Sequence, residues 1–389
     1  MSFAEKLEML RQEAADAQRL VNGAPSRRAK GYDRDLAEAL NLINRVRKGD
    51  SFAQHILREV MTTSDFTYLT GDIMNRTLLA QYATWQPIWN QVATQRTVPD
   101  FRNVTSVSTG QLGGSLSVVP ELAPYPARVM TDSGVSWAVV KHGERVPFSW
   151  EAMINDDLDA LSRIPNDMAN LARQSEDRFV TGLFAGTSGP LNTVYTSGNR
   201  NIINTTNGGL LTNPALSIAG LEAGFAVLGN QYTTDSDGNK IPIMIPAAVL
   251  MVPPALEGVA RNIMNATEII VGADSGTQRI LTNNWMRNKL TLVVNPWLPI
   301  ISTTNGNTSW YLFAAPGTSR PAMEFGLLRG HEAPEIFMKS PNAIRIGGGA
   351  LDPFAGDFDT DAIEYKIRHI YGGSIVDAKM TVASNGTGS

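Results

Sequence analysis

The chain contains no cysteine. Neither a disulfide framework nor a thiolate metal site is available, and a reducing compartment such as a bacterial cytoplasm is allowed. Stability must come from packing or from assembly. Histidine is almost as scarce: His55, His142, His331 and His369 lie in four different segments, which does not make a helical metal motif. Positive charge is short as well. With 33 Lys and Arg against 37 Asp and Glu, the formal net charge of −4 gives no basic field for wrapping nucleic acid, a local basic patch aside. Nowhere do about 18 uncharged apolar residues run together, so no membrane-spanning helix is expected. Met1 to Val21 carries charges throughout and lacks the apolar centre of a signal peptide. The expectation is a soluble protein without membrane contact and with no visible export signal.

Catalytic signatures are missing too. Gly186-Thr-Ser-Gly189 and Gly347-Gly-Gly349 lack the nucleophile elbow, the dinucleotide fingerprint and the terminal Gly-Lys-Ser/Thr of a phosphate loop, and they read as turns. Asp235-Ser-Asp-Gly-Asn-Lys240 resembles part of a calcium loop. Aligning Gly238 with that loop's glycine, however, puts Thr233 at the first ligand position and no glutamate at the twelfth. Asp352, Asp357, Asp359, Asp361 and Glu364 could hold a cation, but their setting among Pro353, Phe354, Gly356 and Phe358 reads as a solvated loop. Asp156 and Asp157 could supply a carboxylate pair for general acid/base work. Helix capping by Asn155, Asp156 and Asp157 explains them more simply, and no nucleophile with a histidine partner accompanies them. No catalytic, cofactor-binding or metal residues are expected, and a hydrolase using Asp156 and Asp157 stands as the alternative from another class.

What is present is a chain of 389 residues, 43% hydrophobic, with 34 glycines and 21 prolines: enough for a sizeable core and many turns. Residues 1–65 read as a helical arm without a core of its own. Phe3, Leu7, Leu10, Ala14, Ala17 and Val21 form a narrow stripe, Asn22 to Ser26 breaks it, and further helices follow from Leu36 to Lys48 and from about Asp50. Asp72 to Gln86 is predicted helical. From Val104 to Phe148 the residues are β-branched, small or glycine, and Leu116, Val118, Val135, Trp137 and Val139 alternate with small partners, as in a two-stranded ribbon. Lys141, Glu144 and Arg145 are expected to close its base. A ribbon of this length is marginal in water unless it rests on something, and the expected support is another subunit.

Ser149 to Phe184 carries the spine. A first helix capped at Asn155 to Asp157 is expected to end before Pro165. A second then begins there, with Ile164, Met168, Leu171, Ala172, Phe179 and Leu183 on one face. Gly186 to Gly209 reads as a long irregular connection. Asn213-Pro214 is expected to open the next helix, and Ala247 to Val252, Leu290 to Val294, Trp310 to Ala314 and Met323 to Leu328 read as strands. Ala362 to Ile370 alternates Ile363, Tyr365 and Ile367 with Glu364, Lys366 and Arg368, the pattern of a half-buried antiparallel strand. Asn385 to Ser389 reads as a flexible tail.

Arm, ribbon, spine helix and α/β unit in this order resemble the major capsid protein of tailed bacteriophages, the Hong Kong 97-type fold. Thr63-Ser-Asp-Phe66, Thr97-Val-Pro-Asp-Phe101, Val119-Pro-Glu121 and Ile154-Asn-Asp-Asp-Leu158 with Ile164-Pro165 are similar to the Mu-like, prohead-protease-fusion type, over about Phe66 to Ala383. The resemblance implies an α+β fold with a helical arm (1–65), a peripheral domain (66–107, 148–186 and 321–370), an E-loop hairpin (108–147) and an axial α/β domain (187–320, with a return strand and tail over 371–389). It implies a non-enzymatic subunit that self-assembles as hexamers and pentamers into an icosahedral virion shell, in the host cytoplasm, around a DNA genome. The DNA would be met only through the shell's inner face, and scaffold, portal and decoration proteins would be further partners. Val118, Trp137, Lys141, Glu144 and Arg145 are the expected subunit contacts. A nanocompartment shell of the encapsulin kind is the nearest alternative. The lysine–asparagine cross-link of some relatives is not carried over, because Lys141 lies near the ribbon's base.

Overall fold

A computed structural model describes residues 75–109, 119–122, 125, 132–234, 239–243, 245–271, 280–318, 320–339, 342, 346 and 356–388. The expected arm, Val118 and most of the ribbon tip lie outside these residues. In chain order the elements used below are helix α1 (75–84), strands β1 (Ala93–Val98), β2 (Val104–Thr109), β3 (Asp132–Trp137) and β4 (Val139–Ser149), and helix α2 (Trp150–Phe184). Then come α3 (Ile218–Gly229), β5 (Ala247–Val252), α4 (Glu257–Asn265), β6 (Glu268–Val271), β7 (Ile280–Asn283), β8 (Thr291–Val294), β9 (Trp310–Ala314), β10 (Met323–Leu328), β11 (Glu335–Met338), β12 (Ala362–Ile375) and β13 (Thr381–Ser384). The chain divides into two compact units. The first takes Met1–Gln86, Val140–Ser175 and Leu327–Tyr371, and the second Pro87–Val139, Glu176–Gly326 and Gly372–Ser389.

In the first unit, helices cover a sheet. Leu78 and Tyr82 of α1 are four residues apart, as are Ile164, Met168 and Ala172 of α2, so each set lines one helix face. They pack with Ile363, Tyr365 and Ile367, the inward parity of β12, and with Val146, Phe148, Ile336 and Met338 of the neighbouring strands. Full burial of each such side chain contributes about 1.5–3 kcal/mol. β11 pairs antiparallel with β12, Glu335 opposite Arg368, and β4 pairs with β12 as well. The approach is close at Gly143, where a Cβ would stand 2.4 Å from the Ile367 carbonyl oxygen. Polar contacts fix α1 on α2: the Arg173 guanidinium lies 3.4 Å from the Tyr82 ring centroid and donates twice to the Tyr82 carbonyl, at 3.0 and 2.9 Å. α1 stops at 84, short of the expected Gln86, because Pro87 disfavours helical backbone at the residue before it.

α2 corrects one expectation. It is a single helix of 35 residues with Pro165 inside it, about 52 Å long at 1.5 Å per residue, rather than two helices meeting at the proline. The ring removes one hydrogen bond and crowds the preceding turn, at a cost of about 3 kcal/mol. Burial of Ile164, Pro165 and Met168 on the core face offsets it. Asn155, Asp156 and Asp157 therefore lie within the helix and not at the start of one.

The second unit is built on a four-stranded sheet in the order β8-β5-β9-β13. β8 runs parallel to β5, while β5 with β9 and β9 with β13 are antiparallel. All five residues of β9 are buried, in keeping with its unbroken apolar run. The Phe184 ring meets Tyr311 and Phe313 edge-on, with centroids 5.0 and 5.2 Å away. α3 starts at Ile218 under a Ser217 cap, whose Oγ accepts from Gly220 N at 3.0 Å, four residues later than expected. Asn213, at φ 59°, and Pro214 are instead tied to the C-terminus. Ala215 N donates to Gly388 O (3.0 Å) and Gly388 N to Asn213 O (2.7 Å). The residues expected to be a loose tail are therefore hydrogen-bonded into the unit.

Candidate assembly surface

The two-stranded ribbon is present at its base. β2 and β3 pair antiparallel from Val104↔Trp137 to Thr109↔Asp132, within the second unit. Alternation turns Ser106 and Trp137 inward and leaves Thr105 and Val107 outside, Val107 with 54% of its surface exposed. One serine organises the inner face. Its hydroxyl accepts from Trp137 Nε1 (2.8 Å) and from Arg96 Nη1 (3.0 Å), and donates to Glu324 Oε2, so its single proton and both lone pairs are used. Arg96 closes the network by pairing with Glu324 at 3.1 Å. The indole lies against Gly326, where a Cβ would fall 2.2 Å from a ring carbon. Gly326 is therefore required by close approach, and the ribbon's root is a fixed joint.

Four of the expected contact residues, Trp137, Lys141, Glu144 and Arg145, stand elsewhere than on a ribbon surface. Trp137 is only 6% exposed and is covered by its own chain, so it anchors the ribbon instead of offering a surface. Lys141, Glu144 and Arg145 do not close the ribbon. They stand on β4, which leaves β3 at Ala138 and joins the sheet of the first unit through β12. Alternation alone could not tell which strand β4 pairs with. Lys141 and Glu144 are exposed beside Val140, which is 57% exposed, and Arg145 lies 3.6 Å from Glu364. Val118 lies outside the described residues.

Of the acidic group expected to be able to hold a cation, Glu364 and Asp357 are engaged elsewhere, and Asp352 lies outside the described residues. Glu364 pairs with Lys339 (3.1 Å) as well as Arg145, and Asp357 reaches Lys339 at 3.8 Å. Asp357 Oδ1 accepts from the Thr360 hydroxyl (2.8 Å), Thr360 N (3.0 Å) and Ala362 N (3.1 Å). The Thr360 hydroxyl first, then the two backbone amides, hold this carboxyl below its usual range. Asp359 and Asp361 are exposed, and no group of three or more metal-ligating residues occurs among the described residues. Of Asp156 and Asp157 only the helical backbone is described.

The histidines take places that sequence reading missed. His331 Nδ1 lies 2.5 Å from Glu335, which also binds Arg368. This bridge crosses a turn between strands, where the spacing of four looks helical but is not. His142 stacks on Tyr371, 4.0 Å between centroids and 8° between planes, with His369 5.1 Å from the same ring and Tyr82 edge-on to His369. Burial, and then the neighbouring His369, push the His142 imidazole below its ordinary value, opposed by a backbone hydrogen bond with Tyr371. Extending the parity Ile363, Tyr365, Ile367 by one step would have placed His369 inside.

This chemistry defines a class. What the described residues organise is an anchored ribbon root and a charged sheet face. The chain belongs to the phage capsid protein family, whose model matches residues 133–384. It is a phage capsid protein with an α+β fold, and its place is the virion capsid. No curated protein matches it. Similar solved structures include one from Microbacterium phage Oxtober96, at 11% identity over 75% of this chain and 88% of that one, TM-score 0.44. The capsid of the native GTA particle matches at 10% identity over 75% and 87%, TM-score 0.44. The holo-SrpI encapsulin complex from Synechococcus elongatus PCC 7942 matches at 12% identity over 78% and 89%, also with TM-score 0.44. No described helix is long and apolar enough to cross a membrane.

Proposed function

We propose that many copies of this chain tile, as hexamers and pentamers, a closed icosahedral shell around the DNA genome of a tailed bacteriophage of the Mu-like type. Assembly takes place in the host bacterial cytoplasm, scaffold, portal and decoration proteins meet the shell, and the subunit performs no catalysis. In this reading β2–β3 is the root of an E-loop that lies over a neighbouring subunit, and Lys141, Glu144 and Arg145 stand on a contact face of the first unit. The sheet β8-β5-β9-β13 with α3 and α4 forms the axial domain, and α2 with β11 and β12 the peripheral one. The observation that carries the reading is the ribbon itself. Its root is fixed by Ser106, Trp137, Arg96 and Glu324, while Val107 on the next parity is open to solvent. An isolated two-stranded ribbon gains little stability alone and gains it by resting on another surface. Sedimentation and negative-stain microscopy of the expressed full-length chain, over a range of salt and pH, test this. Closed particles are expected, and a stable monomer under every condition overturns the proposal.

A further inference from the structure

Four segments of the second unit meet at Tyr232. The Arg200 guanidinium lies 4.2 Å from the ring centroid and the Lys240 ammonium 4.8 Å from it. Lys379 Nζ donates to the Tyr232 carbonyl at 3.0 Å. The arrangement is built and not incidental. Arg200 holds a left-handed φ of 55°, and its carbonyl accepts from Gln231 Nε2 at 2.8 Å, which fixes the arginine beside the residue before Tyr232. Lys379 lies in the turn set by Asp377, whose Oδ1 accepts from Lys379 N at 3.0 Å.

None of the three cations pairs with a carboxylate among the described residues. Asp377 is committed to Arg320 at 2.7 Å, and Asp235 and Asp237 lie outside the described residues. Three like charges on one tyrosine repel one another, and the ring quadrupole offsets only part of that. An anion would offset the rest. Two of the cations lie at the ring and the third at the backbone carbonyl, an arrangement that suits a run of phosphates better than one small ion. A planar guanidinium beside two ammonium groups is a set suited to phosphate oxygens.

We infer that Arg200, Lys240 and Lys379, gathered on Tyr232, form a binding site for the phosphodiester backbone of the packaged DNA, and that this face of the unit looks into the shell. The overall charge of −4 does not oppose this, because a backbone contact needs only a local patch. The inference rests on the shell reading above.

The test is the salt dependence of binding of a short labelled DNA duplex to the unassembled full-length chain. Each phosphate contact contributes about 0.9 to the slope of log K against log salt, so Arg200→Gln, Lys240→Gln and Lys379→Gln should each flatten it by about 0.9, and the three together by about 2.7. Lys289→Gln, which removes a cation 5.0 Å from the Trp285 ring in the same unit, should leave the slope unchanged. Lys240 is exposed, so its variant keeps the test available should the triple variant fail to fold. Unchanged slopes overturn the inference. So does a triple variant that keeps DNA but loses polyglutamate, which would make the cluster a site for an acidic peptide. Sedimentation of the same variants reads shell formation separately: particles that form with wild-type salt slopes sink this inference alone, and absence of particles from the wild-type chain sinks the shell reading.

Discussion

Replacing Ser106 with alanine removes one hydroxyl from the ribbon root and leaves the backbone register unchanged. The Arg96–Glu324 pair survives at 3.1 Å, so no charge is left alone. What is lost is the acceptor for Trp137 Nε1, on a residue only 6% exposed, and for Arg96 Nη1, together with one donor to Glu324. An unsatisfied buried donor costs about 1–3 kcal/mol, and the lost charge-assisted bond is replaced in part by water, so the root should be destabilised by about 2 kcal/mol. At about 1.4 kcal/mol per factor of ten, local opening becomes about 30-fold more frequent. Hydrogen exchange of the β2–β3 amides in the unassembled chain reads this directly, and amides of β9 serve as the internal reference. The same rates at β2 and β3 in variant and wild type would refute the assignment of Ser106 as the organiser of the joint. An equal rise at β9 would show a global effect and refute the local one.

Three further expectations follow from the same geometry. Gly326→Ala should destabilise the second unit by about 1–3 kcal/mol, because its Cβ would stand 2.2 Å from the Trp137 ring, and Trp137→Leu in the same chain should recover part of the loss in thermal melting. His142 has its folded-state value depressed, so folding favours the neutral ring. The stability it supports is complete above its ordinary value of 6.5 and declines as pH falls through that value toward the lower folded one, and His142→Phe should flatten this acid limb in urea titrations. Lys141→Ala and Glu144→Ala, on the exposed face of β4, should change subunit stability by less than about 0.5 kcal/mol. If that face meets a neighbour, the same variants lower the yield of closed particles, read by sedimentation.

The sequence made some parts of this molecule legible because one local rule governed them. The parity of Ile363, Tyr365 and Ile367 announced β12, the apolar run Trp310 to Ala314 announced a strand, and the stripe Ile164, Met168, Ala172 announced the core face of the spine. Where two rules competed, the local one misled. Pro165 argued for a helix boundary, but tertiary burial of that turn keeps the helix continuous. The small and β-branched run through Phe148 read as one ribbon, because periodicity of two says which side a residue faces and not which strand it pairs with. Trp137 and Lys141 share that run yet belong to different sheets. The Ser106 joint and the Tyr232 cluster were out of reach for another reason: each assembles residues from three or four distant segments whose meeting only the folded chain reveals.

The most direct test of the account is a cryo-electron microscopy map of particles formed by the full-length chain. Closed icosahedral shells are expected, in which the continuation of β2 and β3 lies across an adjacent subunit and covers the exposed parity that includes Val107. Particles of other symmetry, or a ribbon folded back on the subunit that supplies it, would contradict it.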